Sequence, residues 1–267
     1  MELFCEVHGD GPPVVCLPGL GTDLTCFAFQ VPDLAPDFRL VLVDLRGVGR
    51  SPAPPGPYSC EEMAGDVARL MERLDLGPAL VIGHSMGGAV AQHLARSHPE
   101  RVAGLVLAGA FARLDPFGLQ VLEGWQLQQE AGISRELFAR SFLPWVLSRG
   151  FFEHPEFVRE AVRLVAETPW PQAPEAFCSQ AAACRAFDSR PWLGELRAPA
   201  RVISGTEDLI APLEGARFLA EALPSARFHA LEGLAHACMS EGAPLFNPLV
   251  RDFARELQAS GAFPSGG

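Results

Sequence analysis

Two kinds of hydrophobic pattern alternate along the chain. Short, solid apolar runs occur in "PVVCLPG" (13–19), "FRLVLVDLRG" (38–47), "ALVIGH" (79–84), "VAGLVLAGA" (102–110), "PARVISG" (199–205) and "ARFHALEG" (226–233). Most are rich in Val and Leu and stop at Gly or Pro, which predicts buried strands. Between them lie stretches whose apolar residues recur every three or four positions, at 61–77, 86–100, 212–224 and 247–260. These predict helices. The first has Glu61 and Glu62 early, Arg73 late and Gly77 at its end. Its charges are placed to suit the helix dipole. Strands apolar on both faces, alternating with helices, predict a parallel sheet covered on both sides.

One region breaks the rhythm. From about residue 111 to 197 no strand pattern occurs, and four helical stretches follow one another at 117–132, 134–150, 155–168 and 173–189. All four tryptophans of the chain, Trp125, Trp145, Trp170 and Trp192, fall there. The expected organisation is an α/β core formed by residues 1–110 and 198–267, with residues 111–197 inserted as a helical cap over one end of the sheet.

Composition narrows the function. The chain has 267 residues, of which 48% are hydrophobic, enough for one large core. A formal charge of −11 repels phosphate backbones, so no nucleic-acid partner is expected. Every one of the 21 basic residues is Arg, which removes lysine chemistry such as a Schiff base. The seven cysteines include no C-x-x-C pair, and several, such as Cys16, sit inside apolar runs. They read as reduced core thiols and point to the cytoplasm. The opening "MELFCEVHGD" lacks the basic and apolar regions of a signal peptide, and the longest apolar run, 102–111, is too short to cross a bilayer. The expected partner is a small-molecule substrate, with no membrane, metal or cofactor, for a monomer or homodimer.

The stretch "VIGHSMGGAV" (81–90) carries the chemistry. Strand, then Gly-x-Ser-x-Gly, then helix, describes a sharp turn that lifts Ser85 clear of the sheet. Gly83 and Gly87 leave room where side chains would strike the strand and helix. Ser85 opens the helix, so the Met86 N–H points towards whatever lies beside the hydroxyl. A serine nucleophile needs a base. His236, in the loop "LEGLAHACMSEG" after the last strand, is the choice among seven histidines. His84 is constrained within the turn. His93 and His98 lie on or after the next helix, His8 in a turn, His154 in the insertion and His229 inside a strand. The base needs an orienting carboxylate. Asp208 follows the strand "ARVISG" at the sheet edge where parallel sheets carry their chemistry, with Glu207 as its neighbour and alternative.

Together these residues resemble the α/β-hydrolase superfamily, whose chain order is Ser, acid, His: here Ser85, Asp208, His236. The resemblance implies an α/β-hydrolase fold and an oxyanion hole. "LPGLGTD" (17–23) is similar to the family's His-Gly-x-x loop, which makes Leu20 one backbone donor and Met86 the other. Pro18 stands where the family has histidine, so the bracing that histidine supplies is missing. "DLRGVGRS" (44–51) resembles a structural loop of the family, shaped by Gly47 and Gly49 and tied down by Arg46. Some members place the acid after the earlier strand, which makes Asp115 a further alternative.

The implied activity is serine hydrolysis of an ester, lactone or thioester of a small to medium, largely apolar substrate through an acyl-serine. A carbon–carbon bond hydrolase, lyase or acyltransferase with the same triad is the alternative, and a non-catalytic ligand receptor of the same fold is another. Aromatic residues of the cap, among them Phe138, Phe142, Trp145 and Trp170, are expected to line the pocket. Arg140, Arg149 and Arg185 are candidates for holding a substrate carboxylate.

Overall fold

A computed structural model describes residues 1–264. Seven strands form one sheet among these residues: β1 (Cys5–His8), β2 (Pro13–Leu17), β3 (Arg39–Val43), β4 (Ala79–His84), β5 (Val102–Ala108), β6 (Ala200–Gly205) and β7 (Ala226–Leu231). Their spatial order is β1-β3-β2-β4-β5-β6-β7. The edge strand β1 pairs antiparallel with β3, and the rest are parallel. All six strands expected from apolar runs are present. β1 is the addition: four residues that alternate polar and apolar, only partly buried, too short and mixed for a run to stand out.

The helices, in chain order, are α1 (Val31–Leu34), α2 (Cys60–Arg73), α3 (Met86–Ser97), α4 (Pro116–Glu130), α5 (Arg135–Val146), α6 (Arg149–Phe152), α7 (Pro155–Ala166), α8 (Pro174–Ala186), α9 (Leu213–Ala222), α10 (Cys238–Glu241) and α11 (Ala243–Ala259). α4 to α8 lie between β5 and β6, with no strand among them. The stretch 134–150, which reads as one helix, is two. α5 ends at Val146, two residues after its interior Pro144, and Leu147 is extended. Ser148 then caps α6.

Strand side chains alternate between two cores, as the pleat requires. Val15, Val41, Val81, Leu105, Leu107 and Val202 face α2, α3 and α9. Val14, Leu40, Leu80, Ile82, Val106 and Ile203 face the other way, onto Phe246, Val250, Phe253 and Leu257 of α11. α2 begins with a full capping box: the Ser59 hydroxyl accepts from the Glu62 N–H, and the Glu62 carboxylate accepts from the Ser59 N–H. A sheet buried on both faces leaves its C-terminal edge as the place for functional side chains.

At that edge β4 turns into α3 within one residue. Ser85 is held at φ 52°, ψ −117°, a region that non-glycine residues rarely adopt. The turn closes only because its flanks lack side chains. A Cβ on Gly83 would lie 2.4 Å from the Gly87 carbonyl oxygen, and one on Gly87 would lie 2.1 Å from that of Leu17. Both collisions are with backbone. Gly87→Ala should therefore lose about 3 kcal/mol of stability or more. Urea unfolding checks this; a loss below about 1 kcal/mol would show that the turn has slack.

Candidate active site

Three separated segments meet at the C-terminal edge of the sheet. β4 ends at His84 and presents Ser85, which is largely buried and lines a cavity. Its hydroxyl does not cap the helix that it opens. The loop after β6 brings Asp208, whose Oδ1 accepts the N–H groups of Ile210 (2.9 Å) and Ala211 (2.8 Å). The loop after β7 brings His236 into the same cavity as Ser85. His236 Nδ1 lies 2.9 Å from Asp208 Oδ2 and 3.0 Å from Oδ1, and both residues are buried. The carboxylate thus fixes Nδ1 as the protonated nitrogen and leaves Nε2 as an acceptor. The structure brings Ser85, Asp208 and His236 to one place.

The alternatives have other partners. The Asp115 carboxylate accepts from the Gly118 N–H at 2.7 Å and caps α4. Glu207 accepts from the Arg149 N–H at 3.0 Å, at the start of α6, so its carboxylate has a structural partner in the inserted helices. His93 packs against Phe187 and Trp192. His8, His98 and His154 sit beside Glu6, Glu100 and Glu156 near the surface, and His229 is on β7.

Leu20 lines the cavity beside Ser85, and Met86 begins α3. Neither backbone N–H has an acceptor among the described residues. The loop around Leu20 lacks the family's histidine at Pro18, and other groups brace it. The Gly21 N–H donates to Gln180 Oε1 on α8 (3.3 Å), and the Thr22 hydroxyl donates to the Gly19 carbonyl (3.1 Å). The Leu24 N–H donates to Asp44 Oδ1 (2.8 Å). Gln180 also donates to the Arg46 carbonyl (2.8 Å), which joins this loop to the 44–51 loop. In that second loop Arg46 Nε donates to the buried Asp66 at 2.6 Å.

Inserted helices are bonded to the loops that carry Asp208 and His236. The Ala237 N–H donates to the Val146 carbonyl (2.9 Å). The Glu241 carboxylate accepts from the Ser148 N–H (3.0 Å), the Ser148 hydroxyl (2.6 Å) and the Ala235 N–H (3.4 Å). The junction of α5 and α6 is therefore bonded to Ala237 and Glu241, and Glu241 also ties in Ala235, on the other side of His236. Nothing in the sequence spacing of Ser148 and Glu241, 93 residues apart, signals this.

The cavity measures about 600 Å³, within the range of small-molecule sites. α4 contributes Gly118, Leu122 and Trp125, α5 contributes Phe142, Leu143 and Val146, and α7 contributes Phe157, Ala161 and Leu164. Of the four aromatic residues expected to line it, only Phe142 does. Phe138 stacks on Phe142 (centroids 5.6 Å apart) and turns its edge to Phe177, so it lies behind the wall. Trp145 packs on Phe117 on the far side of its helix, and Trp170 is half exposed near Arg50. The usable signal was helical spacing: 118, 122 and 125, then 157, 161 and 164, each form one stripe. Arg140, Arg149 and Arg185 are exposed and none lines the cavity.

The alpha/beta hydrolase fold family model matches residues 12–243. The chain belongs to the alpha/beta hydrolase fold family. Within it the chain is similar to a putative carbamate hydrolase, RutD, of Azorhizobium caulinodans, at 29% identity over 96% of each chain. Among solved structures it is similar to the enol-lactonase of Burkholderia xenovorans LB400 (TM-score 0.85, 32% identity, 94% of this chain and 95% of that one). It is also similar to a thermophilic esterase of Thermogutta terrifontis (TM-score 0.85, 29% identity, 96% and 93%).

His84 is the buried neighbour of this site. Its ring lies 5.0 Å from that of His236, and Nε2 is 3.1 Å from the His236 carbonyl oxygen, to which it donates. Nδ1 is buried and has no partner among the described residues. Burial, with the nearby His236 second, pushes the imidazole pKa down from 6.5 to about 3. The unfolded chain protonates this ring near pH 6.5, whereas the folded chain does so only near 3. Between those values the unfolded state holds the extra proton, so acid removes stability, at up to ~1.4 kcal/mol per pH unit. His84→Gln keeps an N–H for the His236 carbonyl without the titration. Its unfolding free energy should fall by about 1 kcal/mol per unit less than wild type's between pH 6 and 4. Chemical denaturation at several pH values reads this, and parallel slopes would contradict it.

Proposed function

We propose that this alpha/beta hydrolase is a serine hydrolase acting on carboxylic ester-type bonds, namely an ester, lactone or thioester of a small to medium, largely apolar substrate. One observation carries the reading: Ser85, on its strained turn, shares an apolar cavity with His236, and His236 is held by a buried Asp208. In the proposed cycle His236 Nε2 takes the Ser85 proton as Oγ attacks the carbonyl carbon. The Leu20 and Met86 N–H groups stabilise the oxyanion, each contributing roughly 3 kcal/mol in the transition state. Asp208 keeps the imidazole in the required tautomer and stabilises its charged form. The protonated His236 then gives its proton to the departing alcohol or thiol, and an acyl-serine remains. Water attacks next, deprotonated by the same His236, and the acid leaves as Ser85 regains its proton. Residues 111–197 act as the cap that shapes the substrate's surroundings and keeps bulk water from the acyl group.

Family membership and the similarity to an enol-lactonase and an esterase support the reading. So do the two free backbone N–H groups beside the hydroxyl. Hydrolysis of p-nitrophenyl butyrate by purified protein tests it. Ser85→Ala should lower kcat/KM by at least about 10³-fold with the fold intact by circular dichroism. Rates equal to wild type would end the proposal. Asp208→Asn should lower kcat by about 10³-fold or more, since it loses the tautomer control. An unchanged rate would move the acid's role to Asp115 or Glu207.

A further inference from the structure

The walls of the cavity carry an unusual charge pattern. Among the described residues, its only ionisable side chains besides the cysteines and the two histidines are Glu160 and Glu241, and no arginine lines it. Glu241 is committed to Ser148 and Ala235. Glu160, on α7, is gripped by Arg163, which holds its carboxyl below the usual carboxylate range. Both carboxyl groups already have partners, and no arginine stands on the cavity wall to meet a substrate anion. Three arginines of the inserted helices have partners elsewhere, Arg140 with Glu136, Arg163 with Glu160 and Glu167, and Arg185 with Gln126, while Arg149 and Arg159 are exposed and do not line the cavity.

The lining residues differ in enclosure. Around Leu122 and Trp125 the wall is buried. Elsewhere in its lining Phe29 is 60% exposed, Phe157 53% and Leu164 59%. Three large apolar side chains are left in water at the mouth of an apolar cavity. A substrate with an extended hydrocarbon group would cover them, whereas a short one would not.

We infer that the site selects uncharged substrates with a medium-length apolar chain on the carbonyl and excludes those with a second, anionic carboxylate. This inference rests on the acyl-serine reading and adds its substrate class. Filling the cavity with methylene groups strengthens binding and transition-state contact together. A carboxylate placed there would lose its water with no cationic side chain on the wall to pair with it, beside the carboxyl groups of Glu160 and Glu241.

The test uses p-nitrophenyl acetate, butyrate, hexanoate and octanoate, together with the mono-p-nitrophenyl ester of glutarate as the anionic match for hexanoate. kcat/KM should rise by up to about fourfold per methylene, the effect of ~0.8 kcal/mol per buried CH₂, and by more than about 20-fold from butyrate to octanoate. The glutarate ester should fall at least about 100-fold below hexanoate. Leu164→Arg, at the exposed rim, should narrow that gap by about tenfold or more by supplying the missing cation. A flat or falling chain-length profile, or glutarate turned over as fast as hexanoate, would overturn the inference. In that case acetate hydrolysis that vanishes in Ser85→Ala shows that the acyl-serine reading stands alone. No hydrolysis of any ester by the wild type would remove both.

Discussion

The backbone at Ser85 is the constraint around which the rest of the site is arranged. A residue other than glycine at φ 52°, ψ −117° costs on the order of 1–3 kcal/mol, and only surrounding structure can hold it there. That structure is the parallel sheet itself. β4 lies at its centre between β2 and β5, all six of its residues are buried, and α3 must start at once in order to pack on it. The glycines before and after the serine let α3 press against the end of β2 without a collision. The result is a hydroxyl that belongs to neither strand nor helix, standing at the N-terminus of α3, where backbone N–H groups have no partners of their own.

Because β2, β4, β6 and β7 all run parallel, their C-terminal ends share one edge. The Leu20 loop follows β2, Ser85 follows β4, Asp208 follows β6 and His236 follows β7. Residues up to 216 positions apart in the chain thus converge without any special contact to draw them together. Precision comes from a second set of bonds. Asp208 is set by two backbone N–H groups, and the His236 segment is held by the α5–α6 junction through Val146 and Ser148. The helices that form the cavity wall are therefore also the helices that steady the histidine and, through Arg149 and Glu207, the approach to the aspartate. The cavity wall and the loops carrying Asp208 and His236 are joined through one short turn, residues 146–149.

Much of this was legible in the chain, and the reasons differ by element. Solid runs such as "ALVIGH" announce central strands because both faces must be apolar, and Gly-x-Ser-x-Gly announces the turn because few other sequences can fold it. β1 escaped because an edge strand needs neither length nor a solid run. The break between α5 and α6 escaped because Leu147 and Ser148 fit a helical pattern locally, and a tertiary bond to Glu241 decides otherwise. Pocket residues were the hardest. Phe138 and Trp145 are as aromatic as Trp125 and Phe142, and only the direction in which each helix face turns separates wall from backing. Composition identifies a set of aromatic residues, while the rotation of α4, α5 and α7 assigns them.

The account stands on Ser85 being a reactive nucleophile rather than a residue in an unusual turn. Intact-mass spectrometry after incubation with a fluorophosphonate measures this directly. The account predicts one adduct per chain, mapped to Ser85, formed slowly or not at all in His236→Ala and absent in Ser85→Ala. An unmodified wild-type protein under conditions that label a known serine hydrolase, or an adduct that persists in Ser85→Ala, would contradict it.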